Sequence, residues 1–187
     1  MAKHRYLFEK MEKMTVFFRA ESPLLTDYCR YLFPPEGNDP LCVVKSTHEF
    51  GALLISHVRE SERPPKVPCG DYVLELRLPN CDATQSLVNK FLYYSEGDQK
   101  RLNIALAAIL DIDLKAFYLK AEGLGFSKKE IIETFIISRK LATCDPFDAL
   151  HKRIYRSEQA KMKSVTKKLL RKVYYMFETL EIPKIEL

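Results

Sequence analysis

The chain has 187 residues, 47% of them hydrophobic and 29% charged, the proportions of a folded protein and not of a disordered one. Its longest charge-free apolar run, Leu102 to Leu110, falls short of the about 20 residues that span a bilayer, so no transmembrane helix is expected. The N-terminal MAKHRYLFEKMEKMTVFF mixes charges into its apolar positions, unlike a secretory signal, and the net charge of +5 is too small to make the whole surface basic. The reading is an intracellular, cytoplasmic protein with no membrane partner.

The expected fold class is α+β, mostly helical, with a small β-α-β element in the N-terminal half and a long basic amphipathic helix at the C-terminus. Four segments are expected: residues 1–40, 41–94, 95–145 and 146–187. In the first, Leu7, Met11, Met14, Phe17 and Phe18 fall at helical spacing, and PPEGNDP from Pro34 reads as a loop. In the second, Leu41 to Lys45 (LCVVK) is a short strand. Ser46 and Glu49 have the spacing of a capping box, and Phe50, Leu53, Leu54, His57 and Val58 then mark one face of a helix that Arg63-Pro64-Pro65 ends. DYVLELRLP from Asp71 is the clearest strand, with Tyr72, Leu74, Leu76 and Leu78 on one side.

The third segment is helical. Ser95 and Asp98 start a helix through Leu102, Leu106, Ile109 and Leu110, with a break near Asp113 before Phe117 and Ala121. Gly123 and Gly125 supply a turn. Ser127 with Glu130 forms a second capping-box pattern, opening a helix apolar at Ile131, Ile132, Phe135, Ile136 and Ile137. Asp145-Pro146 then combines an N-cap with a proline at the first helical position, and no Gly or Pro follows until Pro183. A helix from Pro146 to about Glu181 would be roughly 50 Å long.

That last helix carries the most pronounced signal in the sequence. From His151 to Tyr175 there are nine cations and one acid, a net of +8, against 21 cations and 24 acids, a net of −3, elsewhere. One face holds Arg153, Arg156, Lys163, Lys167 and Arg171. The other is a seam of Met162, Val165, Leu169, Val173, Met176 and Leu180 that steps by three or four residues. A basic block on a slightly acidic body is a localised polyanion surface, and nucleic acid is the commonest such partner inside cells. Duplex DNA is favoured, with RNA or single strands as alternatives. The seam offers a second reading, a scaffold protein that forms a homo-oligomer through Val165, Leu169, Val173, Met176 and Leu180. An anionic membrane is a weaker competitor, because the apolar face lacks Trp.

The stretch from Asp98 to Ala142, a helix, a glycine-containing turn and a capped second helix, resembles the helix-turn-helix of DNA-binding proteins. That resemblance implies a second helix lying at the major groove, with Lys128, Lys129, Arg139 and Lys140 near phosphates. Lys129, Glu130, Glu133 and Lys140 on its outward side include no Asn or Gln to read base edges, and Ile137 points outward among them.

No catalytic or metal constellation accompanies these features. Cys29, Cys42, Cys69, Cys81 and Cys144 contain no C-x-x-C pair, and His4, His48, His57 and His151 supply no close partner, so reduced thiols and no metal are expected. Phosphate-loop and dinucleotide fingerprints are absent. The functional expectation is a non-enzymatic nucleic-acid-binding accessory or regulatory protein without a cofactor, acting in transcription, replication or mobile-element maintenance.

Overall fold

The computed structural model describes residues 14–35, 41–88, 90–142 and 145–155. The chain divides into two compact units, Met1–Asn103 and Ile104–Leu187.

In the first unit, Thr15–Arg19 is not helical but forms strand β1, with Val16 and Phe18 buried and Phe17 between them half-buried. Of the apolar set at helical spacing, Leu7 and Met11 lie outside the described residues. The β-branched and aromatic residues of TVFF favour the pleated surface of a sheet. Helix α1, Pro23–Leu32, follows at once: Ser22 Oγ accepts from the Leu25 amide at 3.3 Å, and Pro23 fills the first helical position.

Strand β2 is short, Cys42–Val43, and helix α2 spans Glu49–Ser56. The α2 cap is His48, not Ser46: the His48 Nδ1 accepts the Phe50 amide at 3.1 Å. The helix ends at Ser56, well before Arg63, because His57 closes it and Arg59–Ser61 forms strand β3. Strand β4, Val73–Arg77, buries Leu74 and Leu76, while Tyr72 precedes the strand and is 38% exposed. A 3-10 helix over Asp82–Leu87 leads to strand β5, Phe91–Tyr93.

The main sheet has the order β1-β4-β2, with β1 antiparallel to β4 and β2 parallel to it (Cys42 opposite Leu76). The parallel pair joined through α2 is the expected β-α-β element. Strands β3 and β5 make a separate antiparallel pair, Arg59 opposite Tyr93, which alternation did not predict in such short segments. Phe18, Phe33, Phe50, Leu53, Leu54 and Leu76 form the core, with the Phe18 and Phe50 ring centroids 6.2 Å apart and those of Phe33 and Phe50 6.1 Å apart. Each such side chain contributes about 1.5–3 kcal/mol through burial. Helix α2 lies so close to the end of β2 that a Cβ on Gly51 would overlap the Lys45 carbonyl oxygen.

Helix α3 runs unbroken from Glu96 to Glu122, without the interruption expected at Asp113. Its start is fixed reciprocally, as Ser95 Oγ accepts from the Asp98 amide at 3.2 Å and Asp98 Oδ2 accepts from the Ser95 amide at 3.3 Å. Its first turns then finish the outer edge of β1. Gln99 Oε1 accepts the Arg19 amide at 3.1 Å, and Gln99 Nε2 donates to the Phe17 carbonyl at 3.2 Å. Asn103 Oδ1 accepts the Glu21 amide at 2.9 Å, and Asn103 Nδ2 donates to the Arg19 carbonyl at 2.8 Å.

The second unit takes the remainder of α3 with α4, Lys128–Ser138, and α5, Pro146–Tyr155. Leu106, Leu110 and Leu114 of α3, Ile131, Ile132 and Phe135 of α4, and Leu150 and Ile154 of α5 are buried. Gly125, at φ 86, sits in the turn after α3, where a side chain would be strained. Ser127 and Glu130 form the expected capping box, and the Asp145 carboxylate accepts the Phe147 amide at 3.2 Å to cap α5. The C-terminal helix is thus described as far as Tyr155; the stretch from there to Glu181 lies outside the described residues.

Candidate functional site

The five described candidate cations of the second unit fall into two groups. Arg139 and Arg153 are engaged within the unit. Arg139 Nε and Nη2 each donate to a different oxygen of Asp113 at 2.8 Å, and its guanidinium lies 5.2 Å from the Phe135 ring centroid and 5.8 Å from that of Phe117. Arg153 is ion-paired with Asp111. Aspartates two residues apart on α3 therefore hold one arginine at the end of α4 and another on α5. Both arginines are tied into the packing of three helices, which leaves them less available to a partner than their positions in the sequence suggest.

Lys128, Lys129 and Lys140 make up the other group, and all three are exposed. The first two open α4. The Lys129 side chain is 76% exposed, with its Nζ 3.8 Å from Glu133, a spacing at which an exposed pair contributes little. Lys140 follows the helix in the left-handed conformation, φ 54, at a position where glycine is the usual residue. The Leu141 amide there donates back to the Ile136 carbonyl at 3.0 Å. Arg156, Lys163, Lys167 and Arg171, and the seam of Val165, Leu169, Val173, Met176 and Leu180, lie outside the described residues.

The same helical pair carries apolar surface that charge analysis overlooked. Leu124 is 71% exposed, Phe126 55% and Ile137 76%. Leu124 and Phe126 border a groove of about 280 Å³ with Phe117, Ala121, Ile131 and Thr134. The signal available in the sequence was two large apolar residues inside a glycine turn, GLGF, where solvent-facing polar residues are the norm.

In the first unit, Asp98, Cys29 and Cys42 are tied into the packing. Burial works to raise the Asp98 carboxyl, but hydrogen bonds from Arg59, at 2.6 Å, and from Ser95, with the Arg59 charge, outweigh it and bring the pKa down to about 2. Burial pushes the Cys29 and Cys42 thiols up, so they stay protonated near neutral pH and are poor nucleophiles. Among the described residues no group of three or more His, Cys, Asp or Glu side chains is placed to hold a metal ion, and no helix is long and apolar enough to cross a membrane.

The first unit holds a larger and more polar cleft of about 680 Å³, bordered by residues of β1, α3 and the loop before β4. Its cations, Arg19, Lys66 and Lys100, are far apart in sequence, and no motif or spacing pointed to their convergence. No family model, curated protein or solved structure matches the chain.

Proposed function

We propose that the protein is a non-enzymatic nucleic-acid-binding accessory or regulatory protein, with duplex DNA as the favoured polymer. The observation that carries this reading is the concentration of nine cations and one acid between His151 and Tyr175 on a chain otherwise slightly acidic. Exposed Lys128, Lys129 and Lys140 on the neighbouring helix of the same unit add to it, and the α3–turn–α4 pair has the helix order of a helix-turn-helix. Lys140 adds a further exposed cation, held in a left-handed conformation that costs a lysine more than a glycine. Since Arg153 is paired with Asp111, the terminal contact falls to Arg156, Lys163, Lys167 and Arg171. Four phosphate contacts give a salt slope of log K near about −3.6, and three more from α4 would bring it to about −6.3.

Fluorescence anisotropy of labelled duplex DNA, single-stranded DNA and RNA, at low and moderate salt, tests the reading. The expected result is salt-steep binding that Lys163→Glu, Lys167→Glu and Arg171→Glu together abolish. Absence of binding to all three polymers would overturn it. A second reading, a protein-interaction module, is favoured by the exposure of Leu124, Phe126 and Ile137, an apolar set that phosphate contacts do not explain. Light scattering on Leu124→Ser with Ile137→Ser discriminates the two: a change in oligomeric state with unaltered polymer binding favours the second.

A further inference from the structure

We infer that the cleft of the first unit is a binding site for a nucleoside phosphate. Three cations reach it from three different elements: Arg19 from the end of β1, Lys66 from the loop before β4 and Lys100 from the second turn of α3. Among the described residues none of the three is held in an ion pair, in contrast to Arg59, Arg139 and Arg153, each of which meets an aspartate. The framework behind them is rigid. Asn103 and Gln99 spend their amides on the backbone of Phe17, Arg19 and Glu21, which fixes the end of β1 against α3. Gly70, at φ 142, brings the loop beside Arg19, where even a Cβ would stand only 3.7 Å from the guanidinium Nε.

The rest of the lining selects the ligand. Glu21 and Glu96 also border the cleft, so a bare anion would meet repulsion as well as attraction. A molecule with an anionic end and a hydroxyl- or amine-bearing end satisfies both signs. Tyr72, 38% exposed, lines the cleft along with Pro68 and supplies an aromatic ring on which a base can stack. The volume of about 680 Å³ lies within the range of small-molecule sites, and a nucleotide meets all four requirements. The cleft shares no residue with the helical cations of the second unit.

Isothermal titration of the full chain with ADP, and separately with adenosine, inorganic pyrophosphate and ribose 5-phosphate, tests the assignment. ADP is expected to bind saturably, with both adenosine and pyrophosphate at least tenfold weaker. Lys66→Gln with Lys100→Gln should weaken ADP at least tenfold, and Tyr72→Ala should bring ADP down toward pyrophosphate. Lys128→Gln with Lys129→Gln should leave it unchanged, which separates this site from the polymer-binding surface. No saturable binding at millimolar ADP, or binding indifferent to the Lys66 and Lys100 changes, would overturn the inference. Pyrophosphate binding as tightly as ADP would overturn its nucleoside part.

Discussion

Replacing Asn103 by leucine probes how the first unit is held together. Asn103 is 3% exposed, and its amide serves the Glu21 amide and the Arg19 carbonyl at 2.9 and 2.8 Å. Leucine matches its branching but offers neither donor nor acceptor, so two half-buried backbone groups lose their partners. Each costs up to about 1–3 kcal/mol, and the sum, up to about 2–6 kcal/mol, is a large part of a typical folding free energy. Urea denaturation gives the loss, and hydrogen exchange at the Glu21 amide locates it. Asn103→Asp sharpens the test. Its carboxylate can still accept from Glu21 but faces the Arg19 carbonyl without a proton to donate. Burial raises such a carboxyl, and the protonated form donates, so this variant should regain stability relative to the parent as pH falls. A loss below about 0.5 kcal/mol for Asn103→Leu would refute the reasoning, since it would mean that water entering from the cleft replaces both lost partners.

Gly51→Ala places a methyl group into the Lys45 carbonyl and should destabilise by about 3 kcal/mol or more, read as a fall in thermal midpoint. Burial holds the His48 pKa below its ordinary 6.5, and only the neutral ring can accept from Phe50. The unfolded chain therefore binds the proton more readily, and stability should decline as pH drops through 6.5; His48→Asn, which keeps a cap but does not titrate, should flatten that decline. With Asp98 at about 2 against an ordinary 3.8, its contribution is complete above pH 4 and lost as pH falls toward 2, a loss that Asp98→Asn should remove from an acid titration. Lys140→Gly relieves the left-handed strain and should raise stability by about 1 kcal/mol while weakening nucleic-acid binding; stronger binding would count against a phosphate contact there.

Features with local causes were legible. The Ser127–Glu130 box, the Asp145-Pro146 start and the glycine turn were readable because each depends on residues a few positions apart. Strand β4 was readable because five alternating residues suffice to mark it. The errors came where distant chain decided the outcome. Thr15–Arg19 could follow either period, and pairing with Val73–Arg77 made it a strand. His48 displaced Ser46 as a cap because its ring also meets Phe33 edge-on at 5.4 Å, a contact fifteen residues away in sequence. For the site, charge patterning nominated Arg139 and Arg153 along with the lysines. It could not see Asp111 and Asp113 turned toward them, since these pairs join residues 42 and 26 positions apart. The cleft of Arg19, Lys66 and Lys100 left no trace in any single segment.

The closure of β1 by Gln99 and Asn103 has a bearing on how copies of this chain meet. A short sheet normally leaves two rows of free main-chain groups that a neighbouring chain can extend, the usual route to runaway association. Here the two amide side chains occupy the places a fourth strand would take along Phe17 to Glu21. On the opposite margin β2 is two residues long and is bridged at Cys42 by Pro35, which has no amide hydrogen to offer. Strand addition is hindered along Phe17 to Glu21 and at Cys42, which favours assembly through side chains, whose chemistry can be selective, over main-chain pairing, which accepts almost any sequence.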